Sequence, residues 1–268
     1  MLGNIKMTHW EIYFGALMAL GLFALAGWVL SLMRDNVTHV DSMWSLFIGM
    51  AAYTYTLFFY ELHDRALLVL TLVTIWALRL SAYLTVRNWT PHEDHRYAAI
   101  RKNNQPFFWL TSIYIIFGFQ AVLAWMISAP LFGAIKNNSA LNFIDYLGAS
   151  IVIFGFLWET IADTQLANFK ANASNQGKVL NTGLWRYSRH PNYFGECCIW
   201  WGFYFIAIAA GAWWSVFSPI IMTFLLLKFS GVALLEKDIG ERRPAYAEYI
   251  KNTNAFWPNF FNKSASKK

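Results

Sequence analysis

Arg186, Tyr187, Arg189, His190, Asn192, Tyr193 and Glu196 fall in one short string, Arg186-Tyr187-Ser188-Arg189-His190-Pro191-Asn192-Tyr193-Phe194-Gly195-Glu196, which runs directly into Cys197-Cys198-Ile199-Trp200-Trp201. Guanidinium forks suit phosphate or carboxylate groups. An imidazole, an amide and a carboxylate beside them can grip a donor-rich organic cofactor. The string sits where a polar stretch gives way to an apolar one. That border suits an anionic cofactor that pushes one end towards lipid. A basic juxtamembrane loop followed by a helix starting at Pro191 would account for the arginines. It does not account for Asn192 and Glu196, which continue into the apolar run, where polar groups are costly and mark function.

Polar residues recur at helical spacing elsewhere. Arg79, Tyr83 and Arg87 stand at i, i+4 and i+8. Glu159 and Asp163 stand at i and i+4, with Lys170 three turns from Glu159. Asn192, Glu196 and Trp200 repeat the spacing, and Lys228 and Glu236 lie two turns apart. Residues so spaced share a helix face. Taken singly, each has a structural reading as a helix-locking ion pair or a snorkelling cation. Four stripes towards the same side predict a polar cavity open to that side. Cys197 and Cys198 read as small packing residues.

These stripes must be positioned by membrane helices. The chain has 268 residues, 57% hydrophobic and only 13% charged, with a formal net charge of +6. Soluble domains are about a quarter charged, so the chain is expected to be an integral membrane protein. Its 14 Trp and 23 Phe suit interfacial aromatic belts. Apolar stretches long enough to span fall at 9–33, 42–60, 66–88, 107–129, 142–167, 192–210 and 212–235. The first is too long for a signal-peptide core and is kept as a helix. The last two are divided at Gly211. The expectation is an all-α, polytopic helical bundle of about seven transmembrane helices in one domain, 1–268. With seven spans, Lys6, Arg65 and Lys136 lie on the side of the N-terminus. Arg34, Arg96, Arg101, Lys102, Lys170, Lys178, Arg186, Arg189 and the basic C-terminal stretch lie on the other. The positive-inside rule then places the N-terminus outside and the C-terminus, with the motif, in the cytoplasm.

Several chemistries are set aside. Of six His, only His92 and His95 are close, in Pro91-His92-Glu93-Asp94-His95-Arg96-Tyr97. That is too few for a membrane di-iron site, and no metal is expected. The loop reads better as a solvated turn in which Asp94 pairs with Arg96. No Gly-x-Gly-x-x-Gly or Walker pattern is present, so a nucleotide would be held by side-chain cations and helix ends. No Gly-x-Ser-x-Gly elbow is present. Basic residues spread along a membrane surface make nucleic acid a poor partner. Arg79, Glu159, Asp163 and Lys228 could line a transport path, but no internal repeat supports one. An enzyme taking a lipophilic substrate from the bilayer and a charged cofactor from the cytosol fits better.

The motif, preceded by Asn181-Thr182-Gly183-Leu184-Trp185-Arg186-Tyr187, resembles the C-terminal signature of the steroid 5α-reductase family, closest to its bacterial branch. Leu234-Leu235-Glu236-Lys237-Asp238, then Glu241-Arg242-Arg243-Pro244-Ala245-Tyr246-Ala247-Glu248-Tyr249 and Phe256-Trp257-Pro258, agree with it. So do Leu78-Arg79-Leu80, Arg87-Asn88 and Glu93-Asp94-His95-Arg96-Tyr97. The likeness runs from about residue 35, with the signature region at about 145–260. A wider superfamily that includes sterol reductases and isoprenylcysteine carboxyl methyltransferases shares the Arg-His-Pro-x-Tyr-x-Gly core. Glu196 tips the resemblance towards the reductases.

The resemblance implies a seven-helix fold that holds NADPH on its cytoplasmic side, with S-adenosylmethionine as the alternative cofactor. It implies hydride transfer to the β-carbon of an enone such as a 3-oxo-Δ4 steroid, at a bacterial inner membrane. It assigns Arg79, Tyr83, Asp163, Arg186, Tyr187, Asn192 and Glu196 to the cofactor site, with Tyr193 in the same string. Lys170 and Arg189 are further phosphate-binding candidates, and His190 and Glu236 neighbours of the adenosine. Hydride attack on an enone builds charge on the carbonyl oxygen, so a proton donor or a strong hydrogen bond must sit there. Characterised steroid reductases supply a Glu from the second helix and a Tyr from the third. The matching positions here are Asp41 and Trp76, a departure from that pattern.

Overall fold

The computed structural model describes residues 8–58, 62–229, 232, 236 and 244–260. Leu234, Leu235, Lys237, Asp238, Glu241, Arg242 and Arg243 of the second C-terminal motif lie outside the described residues. So does most of the stretch after Phe229 in the seventh expected span. The chain is all-helical, with no strand among the described residues. Its elements are α1 (His9–Arg34), α2 (Val40–Thr56), α3 (Asp64–Asn88), α4 (His95–Asn103), α5 (Phe108–Ser112), α6 (Phe119–Ile127), α7 (Ala129–Ile135), α8 (Phe143–Ala171), α9 (Pro191–Ala209), α10 (Phe217–Phe224) and α11 (Pro244–Asn252). A π-helical stretch, Ile113–Gly118, joins α5 to α6, and another, Leu225–Phe229, follows α10.

Four stretches are long and apolar enough to cross a membrane: His9–Arg34, Asp64–Asn88, Phe108–Ile127 and Phe143–Ala171. Trp213–Lys228 is a shorter apolar helix. This is a polytopic helical membrane protein, as the sequence predicts. The predicted break at Gly211 is real: α9 ends at Ala209, and Gly211 adopts φ +77°, a conformation open to glycine. The fourth expected span, 107–129, corresponds to Phe108–Ile127. Its helix halts at Ser128 and restarts as α7 with Pro130 in the first turn, where a missing N–H does no harm.

The chain divides into two compact units, Met1–Asn142 with Ala207–Ser215, and Phe143–Ile206 with Val216–Lys268. In the first, α2 is the hub and packs against α1, α3, α6 and α7. Small residues allow this. Ser45 Oγ donates to the Ala77 carbonyl at 2.8 Å, and Gly49 faces Ala77. A Thr8–Glu11 capping box opens α1, satisfying free N–H groups. At the start of α3, the fully buried Arg65 donates to Asn137 Oδ1, to Ser139 Oγ and to the Ala140 carbonyl, tying down the 137–140 loop.

In the second unit, α8 and α9 run antiparallel with their backbones in contact. Gly148 meets Gly202 and Ile206, and Gly155 meets Gly195 and Ile199. A methyl group on Gly155 would stand 2.5 Å from the Gly195 carbonyl oxygen, and one on Gly195 would stand 2.7 Å from the Glu159 nitrogen. Each helix presents its glycines seven residues apart, two turns, so they fall on one face. Small-residue seams of this kind let membrane helices approach closely.

Candidate functional site

The glycine seam decides where the acidic residues meet. One turn beyond Gly155 on α8 come Glu159 and then Asp163. Beside Gly195 on α9 stand Asn192 and Glu196. Antiparallel packing therefore brings all four to one end of the helix pair. Glu159, Asp163 and Glu196 are buried, at 4%, 3% and 6% exposure. Asn192 Nδ2 donates to Asp163 Oδ1 at 3.2 Å, and Trp200 Nε1 donates to Glu196 Oε1 at 3.0 Å. The Asn192 carbonyl oxygen is buried and has no hydrogen-bond partner. Buried carbonyls are almost always paired, and leaving one unpaired costs about 1–3 kcal/mol. Among the described residues this acceptor meets no donor. Among the described residues, no group of three or more His, Cys, Asp or Glu is arranged to hold a metal ion.

The loop before α9 is pinned to α8. Trp185 Nε1 donates to the Ala162 carbonyl at 3.0 Å, and the Leu184 N–H donates to Gln165 Oε1 at 2.9 Å. Gly183 turns the chain there with φ +59°, and any Cβ would strike Gln165. Arg186 is left exposed, its guanidinium 4.8 Å from the Tyr187 ring. Lys170 is also exposed, at the end of α8.

Arg189 and His190 take a different part. Arg189 is 7% exposed, and its Nε and Nη2 donate to the two Glu236 carboxylate oxygens, each at 2.7 Å. Its Nη1 donates to the Ile250 and Thr253 carbonyls. His190 Nε2 donates to Glu236 Oε1 at 2.9 Å, and its ring stacks on Tyr193. Arg189, His190 and Glu236, expected at the phosphates and adenosine, form a lock between the start of α9 and the C-terminal segment. More bonds extend it. Ser188 Oγ donates to the Phe256 carbonyl, the Arg189 N–H to the Asn254 carbonyl, and Tyr249 Oη to the Trp185 carbonyl.

Burial alone would raise the Glu236 pKa. Hydrogen bonds and charge from Arg189 and His190 outweigh it and hold the carboxyl at about 2, against an ordinary 4.5. A depressed carboxyl contributes stability that is complete above its unfolded pKa and lost as pH falls through the folded one. Thermal unfolding of the purified protein should therefore show stability falling between about pH 4.5 and 2. In Glu236→Gln that part of the pH dependence disappears. An unchanged profile would show that the lock does not titrate in this window.

In the first unit, Arg79, Tyr83 and Arg87 lie along α3 as their spacing predicts, with Arg87 over the Tyr83 ring at 5.7 Å. Asp41 lies in the first turn of α2. Its carboxylate accepts from Tyr97 Oη at 2.5 Å, Arg96 Nη2 at 2.7 Å and Asn88 Nδ2 at 3.2 Å. Asp94 pairs with Arg96 as the loop suggests, and it also caps α4. Trp76 has no exposed surface, and its ring serves the core of this unit.

The profile of the DUF1295 family, described as a protein of unknown function, matches residues 27–253. The chain belongs to that family. Its match covers every element from the end of α1 to α11, including the glycine seam and the Arg189 lock. The chain is also similar to an uncharacterized protein of Schizosaccharomyces pombe, C594.04c, with 28% identity over 263 residues, covering 86% of this chain and 75% of that one. No solved structure matches this chain.

Sequence reading missed two features of this site. The seven-residue glycine spacing in α8 and α9 was visible but counts only once the two helices are paired. The Arg189–Glu236 pair joins residues 47 positions apart, and nothing local signals it.

Proposed function

We propose that this chain is a membrane-embedded, NADPH-dependent reductase of a carbon–carbon double bond in a lipophilic enone, with 3-oxo-Δ4 steroids and related lipids as the substrate class. The observation that carries this reading is the buried, unpartnered Asn192 carbonyl between Asp163 and Glu196. Acceptors so grouped suit the amide N–H of a nicotinamide or the hydroxyls of a ribose. The likeness of Asn192 to Glu196 to the reductase signature points the same way. NADPH held there would supply a hydride. Asn192, Asp163 and Glu196 hold its donor groups. Arg186, with Tyr187 and Lys170, would meet its phosphates, Arg186 being exposed. Burial of the acidic cluster keeps water from the reacting carbon. The likeness also gives the catalytic positions to Asp41, which accepts from Tyr97, and to the buried Trp76. Cation asymmetry supports a motif facing the cytoplasm and an N-terminus outside.

A second reading, an S-adenosylmethionine-dependent methyltransferase of a lipid, draws on the three buried carboxylates, since a sulfonium and an ammonium group are cations. Mass spectrometry of the co-purifying cofactor separates the two. Titration by tryptophan fluorescence should show NADPH binding that weakens roughly 10–100-fold in Asn192→Leu and Glu196→Gln, the loss expected for hydrogen bonds of this kind. Tight S-adenosylmethionine binding without NADPH binding would sink the reductase.

A further inference from the structure

Three helices of the first unit each turn one face towards a shared groove. Phe23, Gly27 and Leu30 of α1 line it at i, i+4 and i+7. Ser81 and Thr85 of α3 and its C-cap Trp89 line it at i, i+4 and i+8. Residues so spaced share a helix face. Met43 and Leu46 of α2 complete the apolar wall. The groove has a volume of about 270 Å³, just under the roughly 300–1,000 Å³ of sites that enclose drug-sized molecules. It suits one narrow hydrocarbon chain. Ala26 and Leu30, both in its wall, are exposed, so the groove opens on the surface of the unit.

One end of the groove is cationic. Arg34 continues the α1 face one turn beyond Leu30, and its guanidinium lies 3.7 Å from the ring centroid of Trp89 in the facing wall. The two walls therefore meet beneath a single charge. That charge is felt at His39, a third residue of the wall: burial, helped by Arg34, lowers the His39 pKa. Arg34 is half-buried and forms no ion pair among the described residues. Its neighbours are committed. Arg101 pairs with Asp35 and Glu93, and Arg96 with Asp41 and Asp94. A snorkelling cation accounts for an arginine at a helix end. It does not account for an apolar groove that leads to one.

We infer that this groove holds one acyl chain of an anionic phospholipid, with the headgroup phosphate on Arg34 and the chain running along α1 towards Phe23. Phe23 to Arg34 covers about 16 Å of helix. A guanidinium is a strong partner for a phosphate. The open side leaves the second chain in the bilayer. Arg34 ends α1 on the side that the cation asymmetry assigns to the cytoplasm, and the cytoplasmic leaflet carries anionic lipid. The inference is independent of the reductase reading, since neither NADPH nor the acidic cluster of the second unit enters it.

The test uses the full-length protein in nanodiscs of phosphatidylcholine. These carry a trace of phosphatidylglycerol with a photoreactive diazirine on one acyl chain, or of phosphatidylcholine with the same chain. Labelled peptides are mapped by mass spectrometry. Phosphatidylglycerol should label residues 23–30 and 43–46 about five-fold more, the worth of one basic residue beside an anionic headgroup. Arg34→Gln should remove that preference, and Arg34→Lys should keep it. Lys102→Gln, which removes an exposed cation of α4 outside the groove, should leave it unchanged. Ala26→Trp fills the exposed side and should abolish labelling of both segments by either lipid. Equal labelling by the two lipids, or no labelling of these segments, would overturn the inference. So would a preference that survives in a folded Arg34→Gln protein, or one lost equally in Lys102→Gln, which would reduce it to diffuse surface attraction. Labelling that persists in Ala26→Trp would place the chain outside the groove and overturn it too.

Discussion

Gly195→Ala should lower stability by about 3 kcal/mol, the upper end of what overpacking a well-packed core costs. The added methyl would stand 2.7 Å from the Glu159 nitrogen and 2.7 Å from the Gly155 carbonyl oxygen. Both are backbone atoms of α8 and cannot swing aside as a side chain would. The helices must separate, and with them Asp163 and Asn192. Gly195→Val should leave no folded protein. Two glycines of α1 provide the contrast: a Cβ on Gly15 or Gly21 meets nothing within 4 Å. Gly15→Ala should be neutral or stabilising by up to about 1 kcal/mol, the helix-propensity difference alone. Thermal midpoints in detergent, read by tryptophan fluorescence, decide this. If Gly195→Ala and Gly15→Ala behave alike, the α8–α9 seam is not the structural axis described.

Arg189→Ala should cost about 3–5 kcal/mol, the range for breaking a buried ion pair by removing one partner. Among the described residues Glu236 would keep only His190, and the Ile250 and Thr253 carbonyls would lose their donor. Arg189→Lys should rescue little, because an ammonium cannot span both carboxylate oxygens and the two carbonyls from one plane. Removing both partners, as in Arg189→Met with Glu236→Leu, should recover part of the loss, since no charge is then left alone. Thermal unfolding of the two single variants and the double variant measures this coupling. A stable Arg189→Ala protein with weakened NADPH binding would instead make Arg189 a phosphate ligand.

The membrane-helical class of this protein was settled by composition and apolar run length. A chain that is 57% hydrophobic and only 13% charged departs far from soluble domains, and backbone polar groups in lipid leave helices as the answer for runs of this length. The helix starts, the break at Gly211 and the sharing of a face by Asn192 and Glu196 were legible for the same reason: they depend on neighbours within a turn or two. The pairing of helices was not legible. That Gly155 faces Gly195, that Arg189 closes on Glu236, and that Asp41 is claimed by Tyr97 and Arg96 all depend on segments far apart in the chain. Local propensity fixes which residues lie on one face of a helix. Only close packing between helices decides which of those faces meet, and so which polar atoms are satisfied by the protein and which remain open to a ligand.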